Sequence, residues 1–113
     1  MIKLPKTINM FGDEVALYVD RYADNGRIAV IAQSTQGEPY GVLSVNLPEE
    51  SCLCDYEFFA KNYMENEQLY VLALNTGMFE CIGFCKGFPI LKFKEEYRHL
   101  ISFSASFKRR VEL

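Results

Sequence analysis

Four cysteines, arranged as Cys52-x-Cys54 and Cys81-x-x-x-Cys85, come closest to a chemical site in this sequence. A zinc-binding pair of cysteines usually has about two to four residues between its members, so that both sulfurs converge from one turn. On a strand, Cys52 and Cys54 would share a face, but Cys81 and Cys85 would lie about 13 Å apart, too far for one tetrahedral ion. Free cysteines are among the most buried residues. We therefore expect four thiols packed in the core and no metal site.

His99 is the only histidine, so a Cys–His or Ser–His catalytic pair would have to use it. A simpler role follows from its place near the end of a predicted helix, where an imidazole meets free carbonyl groups. The segment Gly83-Phe84-Cys85-Lys86-Gly87 sets a lysine between glycines, but it lacks the spacing and the Lys-Ser/Thr ending of a phosphate-binding loop. We expect a turn at Gly87, no enzyme and no cofactor.

The charge of the chain is unevenly placed. Residues 1–60 carry four basic and nine acidic side chains, and residues 61–113 carry eight basic and six acidic ones, which sums to the net charge of −3. The cluster Lys108-Arg109-Arg110 could contact phosphates. A dedicated nucleic-acid binder is usually basic overall, so this class of protein is disfavoured. A nucleic-acid-associated accessory factor that uses the basic C-terminal half stays open as the alternative function.

The most distinctive segment is Phe59-Ala60-Lys61-Asn62-Tyr63-Met64-Glu65-Asn66-Glu67, in which a predicted strand gives way to a predicted helix. Asparagine caps the free amides at the start of a helix, so Asn66 is predicted to be the N-cap. A rigid corner of this kind can also display a recognition surface. The candidate binding residues are Asn62, Tyr63, Glu65 and Asn66. The alternative, a purely structural connection in which Asn62 and Asn66 satisfy backbone groups, stays open.

That segment, followed by Leu69, Leu72 and Asn75-Thr76-Gly77, resembles a family of short proteins of unknown function from gut anaerobic bacteria, often associated with mobile elements. The resemblance covers roughly residues 40–90 and rests on Lys-Asn-Tyr-x-Glu-Asn, a short helix and a glycine stop. It implies a bacterial cytoplasmic setting. The family has no assigned activity and no catalytic residues that could be transferred to this sequence.

The elements that must position these residues begin with a β-meander. Apolar residues at the two-residue period predict strands at residues 7–11, 14–20, 27–33 and 40–47. Asn25-Gly26 predicts a type I′ hairpin turn, in which both central residues have positive φ. Residues 54–61 predict a further strand in preference to a helix, and residues 78–84 predict another.

The clearest helix is predicted over residues 67–76, and Gly77 suits the left-handed position that ends it. Its apolar stripe consists of Leu69, Leu72, Ala73 and Thr76. A second stripe predicts a C-terminal helix and consists of Phe93, Tyr97, Leu100 and Ile101. The alternation of apolar and polar residues from Phe103 onward predicts a last strand.

Together these elements predict one α+β domain over residues 1–113, in which a mostly antiparallel twisted sheet packs against one clear helix and a second, C-terminal one. A hydrophobic content of 50% is enough for a single core. No signal peptide and no stretch of about 20 apolar residues stands out, so we expect a cytoplasmic protein with reduced thiols and no membrane partner. The predicted function is a small non-enzymatic protein-interaction or accessory module of a bacterial system. The partner and the oligomeric state are left open.

Overall fold

The computed structural model describes residues 1–102, and their backbone forms two antiparallel sheets and two α-helices. The strands are β1 (Ile2–Met10), β2 (Asp13–Arg21), β3 (Ile28–Ser34), β4 (Pro39–Val42), β5 (Ser44–Val45), β6 (Glu57–Ala60), β7 (Phe79–Cys85) and β8 (Phe88–Phe93). The helices are α1 (Glu67–Asn75) and α2 (Arg98–Ser102), and a 3-10 turn precedes each of them, at Met64–Asn66 and Glu95–Tyr97. The α+β class predicted from the sequence is confirmed. The last predicted strand lies outside the described residues.

The strands divide into two four-stranded sheets. The first sheet has the order β1-β2-β3-β4, which is the predicted meander, and the second has the order β5-β6-β8-β7. The chain passes from the first sheet to the second at Leu43, which is fully buried and donates its amide to the carbonyl of Val30 at 2.9 Å. The strand predicted over residues 40–47 is therefore interrupted, because its first part pairs with β3 and its second part with β6.

A single hydrophobic core contains residues of both sheets and of α1. Phe58, Phe79 and Phe93 of the second sheet pack ring against ring, with centroids 4.8 to 5.7 Å apart. The first sheet contributes alternate residues of β2 and β3, such as Leu17 and Val30. Helix α1 adds Leu69 and Ala73, which belong to the predicted apolar stripe. None of the described helices is long and apolar enough to cross a membrane.

Two tight turns close the outer hairpins, at Phe11-Gly12 between β1 and β2 and at Lys86-Gly87 between β7 and β8. Both central residues of each turn have positive φ: 54° and 85° in the first, and 52° and 84° in the second. This is the type I′ pattern, which matches the twist of the flanking strands. The turn predicted at Gly87 is therefore confirmed.

The turn predicted at Asn25-Gly26 has a different geometry. Gly26 has a φ of 76°, but Asn25 is not among the residues of positive φ, so the predicted type I′ turn is wrong. Residues 22–27 form a wider loop instead. Nδ2 of Asn25 donates to Oδ1 of Asn46 at 2.9 Å, and Oδ1 of Asn25 accepts from the backbone amide of Arg27 at 3.1 Å. Asn25 thus ties this loop to the segment after β5.

Strand β8 replaces part of the predicted C-terminal helix. Phe93 ends the strand, and of the predicted stripe only Leu100 and Ile101 lie in α2, while Tyr97 lies in the preceding 3-10 turn. Pro89 is tolerated because β6 pairs only with residues 90–92, so the missing N–H of proline falls outside that ladder. Helix α1 begins at Glu67 as predicted, and Gly77 follows it with a φ of 79°.

Candidate functional site

The corner, residues 61–66, connects the buried strand β6 to helix α1 and contains all four candidate binding residues. Tyr63 is 44% exposed and Met64 is 74% exposed, while Glu65 also faces solvent. Asn62 is half-buried. The sequence prediction named Tyr63 but not Met64, although Met64 is the more exposed of the two.

Asn66 does not cap the helix. Its backbone is already helical, with φ −94° and ψ −4°, and its side chain makes no capping hydrogen bond. Only 3% of Asn66 is exposed, and its Nδ2 donates to the carbonyl of Val42 at 2.7 Å. The predicted capping role is wrong because the side chain points back to the first sheet and not along the helix axis. Asn66 therefore anchors the end of the corner to the first sheet.

Charged and aromatic groups hold Tyr63 in place. The Lys61 ammonium lies 5.1 Å from the centre of the Tyr63 ring, a cation–π distance, and the ring of Phe88 lies 6.1 Å away. Nζ of Lys61 also donates to Oε1 of Glu65 at 2.6 Å. This hydrogen bond lowers the pKa of Glu65 and raises the pKa of Lys61. The tyrosine ring therefore contacts Lys61 and Phe88 while 44% of the residue stays exposed.

Met64 has a backbone conformation that side chains with a Cβ rarely adopt. Its φ is 55°, in the left-handed region that favours glycine. No signal in the sequence distinguishes this methionine from an ordinary core residue. Its neighbours fix the conformation, because Asn66 anchors the chain on one side and the backbone amide of Lys61 donates to the carbonyl of Leu43 at 2.9 Å on the other.

The cysteines do not lie in the core. Cys52, Cys54 and Cys81 are exposed and Cys85 is half-buried, so the predicted burial is wrong. Folding brings together thiols that the sequence keeps apart, since the thiol of Cys52 lies close to that of Cys85. Desolvation and this contact raise the pKa of Cys85 to about 11. Within residues 1–102, no three side chains converge in a way that could hold a metal ion.

Cys81, the other cysteine of β7, meets an aromatic side chain of α1. The hydroxyl of Tyr70 lies close to the thiol. Desolvation, followed by this contact, raises the pKa of Tyr70 to about 12. The pair therefore links the helix to the edge of the second sheet.

The remaining sequence candidates are scattered. His99 is exposed in the last turn of α2. Lys86 lies in the turn between β7 and β8, where it pairs with Glu50 at 2.9 Å, so its surroundings are those of a hairpin and not of a phosphate-binding loop. The cluster Lys108-Arg109-Arg110 lies outside the described residues.

A cavity of about 240 Å³ lies beside the end of β2 and the start of β3, and its lining includes Arg21, Cys54, Asp55 and Glu57. Burial lowers the pKa of the Arg21 guanidinium, and the charge of Asp55 partly opposes this effect. Among the described lining residues, no histidine accompanies the thiol. The cavity therefore combines a thiol with charged side chains, but it does not contain the Cys–His pair that the sequence analysis considered.

No family model matches the chain, and neither a curated protein nor a solved structure is significantly similar to it. The resemblance to short proteins of gut anaerobic bacteria stays a prediction.

Proposed function

We propose that the chain is a small, cytoplasmic, non-enzymatic protein-interaction module that binds its partner through the corner. The observation that carries this proposal is Met64, whose long apolar side chain is 74% exposed although its backbone is held at a φ of 55°. A strained conformation of this kind costs on the order of 1 kcal/mol and tends to occur at binding and catalytic sites. Methionine adapts its shape to a partner, which suits a contact residue.

The surroundings of Met64 support the same function. Tyr63 is held beside it, and Val42, whose carbonyl accepts the hydrogen bond of Asn66, is a third exposed apolar residue. Lys61 and Glu65 form an ion pair in the same segment. An apolar centre with a charged rim is the usual anatomy of a protein interface. The bacterial setting, with its mobile elements, that the resemblance implies belongs to this proposal.

The experiment compares two exposed apolar residues of equal backbone strain. Phe11 is 78% exposed with a φ of 54°, and Met64 is 74% exposed with a φ of 55°. Immobilised wild type, Met64→Asp and Phe11→Asp are each used to capture proteins from a bacterial lysate, after thermal melts have established that both variants fold. We expect a set of proteins that wild type and Phe11→Asp retain and that Met64→Asp loses. Equal capture by all three would overturn the role of the corner.

A further inference from the structure

We propose that Cys52 and Cys85 form a modification site, at which a hydroperoxide converts the two thiols into a reversible disulfide. The two residues lie 33 positions apart in sequence, and the fold brings their thiols close together, beside the ion pair of Glu50 with Lys86 at 2.9 Å. The inference uses neither the corner nor a partner, so it stands or falls independently of the proposed function.

The contact between the thiols is held by the segments that carry them. Cys52 lies in the long connection between β5 and β6, and Cys85 is the last residue of β7. Two residues before Cys52, Glu50 pairs with Lys86, the residue after Cys85, at 2.9 Å. An ion pair and a thiol contact therefore join the same two segments side by side.

Arg27 anchors the connection between β5 and β6. Its guanidinium donates to the carbonyls of Leu47 and Glu50, and it lies 5.9 Å from the centre of the Phe59 ring in β6. The connection is thus anchored to the second sheet just before it reaches Cys52. Because a disulfide forms without large backbone movement only between thiols that already lie close together, this anchoring favours the pairing.

The two other thiols have different surroundings. Cys54 lines the cavity beside Arg21, and Cys81 meets Tyr70 on the helix side of β7. Strand register also separates the thiols of β7, because Cys81 pairs with Leu91 and Cys85 with Phe88, with a bulge between them. The geometry therefore selects Cys52 and Cys85 from the possible pairs.

The chemistry requires two steps and one oxidant. The thiolate of Cys52, the exposed member, attacks a peroxide oxygen; the O–O bond breaks, hydroxide leaves, and Cys52 becomes a sulfenic acid. The sulfur of Cys85 then attacks the sulfenic sulfur, the S–S bond forms, and the S–O bond breaks with loss of water. The two thiols together lose two protons and two electrons, and one hydrogen peroxide becomes two waters. An external thiol reverses the step by exchange.

Chains that retain only two cysteines test this pairing. Cys54→Ser/Cys81→Ser keeps the proposed pair, while Cys52→Ser/Cys81→Ser keeps Cys54 with Cys85, and Cys54→Ser/Cys85→Ser keeps Cys52 with Cys81. Each folded protein is treated with hydrogen peroxide, and intact mass and free thiols are followed with time. We expect the first variant to form an intramolecular disulfide at least tenfold faster than the other two. Its oxidised form should melt at a higher temperature than its reduced form, and dithiothreitol should abolish this difference.

The same reaction in urea shows whether the fold causes the preference. Because a denatured chain no longer holds Cys52 against Cys85, the rates of the three variants should then agree within a few fold. The inference is overturned if the folded first variant keeps both thiols free, stops at the sulfenic or a higher oxide, or reacts no faster than the other two.

Discussion

Asn66 reaches from the start of α1 to the end of β4, where its Nδ2 lies 2.7 Å from the carbonyl oxygen of Val42. The bond joins the helix to the point at which the chain leaves the first sheet. Gly41, the residue before Val42, has a φ of 150°, a backbone conformation that residues with a Cβ rarely adopt. The corner is thus held by a buried amide donor.

Asn66→Asp distinguishes this role from helix capping. Asparagine and aspartate are equally good N-caps, so a capping residue would tolerate the change. A carboxylate cannot donate to the carbonyl of Val42, and at this buried position we expect a loss of about 2–3 kcal/mol in the free energy of unfolding at neutral pH. Denaturant melts measure the loss, with Asn62→Asp as the control in the same corner. Equal stability of Asn66→Asp and wild type would contradict the hydrogen-bond role.

The sequence predicted α1 and its end well because both depend on local signals. The apolar stripe with Leu69 and Ala73 fixes the buried face, and Gly77 takes the left-handed conformation whatever surrounds it. The role of Asn66 could not be predicted in the same way. Its partner, Val42, lies 24 residues away, and tertiary packing chose that acceptor over the free amides nearby.

The cysteines and β8 show the same limit. The average preference of cysteine for the interior says nothing about the bulge after Cys81 or the edge position of β7, because both depend on how the strands pair in the assembled sheet. The sequence predicted the turn at Gly87 but no strand at residues 88–93, and proline indeed rarely occurs inside a sheet. Which ladder a proline interrupts depends on where β6 ends, and this is a property of the assembled sheet.

Phe11→Asn should stabilise the protein. Phe11 has a φ of 54° in a type I′ turn, where asparagine is favoured, and its ring is mostly in solvent. We expect a gain of about 0.5–1 kcal/mol, seen as a higher melting temperature. Phe84→Asn is the matched control, because Phe84 is also exposed but is not among the residues of positive φ. A gain of the same size in both variants would mean that removal of exposed apolar surface, and not backbone strain, is the cause.

Asn25→Gly tests the loop that replaced the expected turn. A type I′ turn would accept glycine without loss. Asn25 instead uses its side chain, which bonds Asn46 and the backbone of Arg27, so glycine should cost about 1–2 kcal/mol of stability. Asn46→Ala, which removes one of the two bonds, should lose less in the same thermal melt. A glycine variant as stable as wild type would restore the turn interpretation.

The ion pair of Lys61 and Glu65 should give the corner a small acid dependence. Its hydrogen bond lowers the pKa of Glu65 in the folded state, so the stabilisation is present above the ordinary value of 4.5 and is lost as the pH falls through the lowered pKa. The difference in melting temperature between wild type and Glu65→Gln should therefore shrink in acid. Added salt should reduce it at neutral pH, because both groups are exposed. If the difference in melting temperature does not change with pH, the ion pair of Lys61 and Glu65 is not its source.

Met64→Gly distinguishes the backbone strain at Met64 from a role of its side chain in binding a partner. Glycine adopts a φ of 55° freely, so the free energy of unfolding should rise by up to about 1 kcal/mol, even though an apolar side chain is lost. If the methionine is a contact residue, the same variant should no longer retain the proteins that wild type captures. Met64→Leu is the control: it keeps an apolar side chain and the strain, so both stability and capture should stay close to wild type. A fall in stability in Met64→Gly would mean that the side chain supports the fold. A gain in stability with capture unchanged would place the recognition surface elsewhere on the molecule.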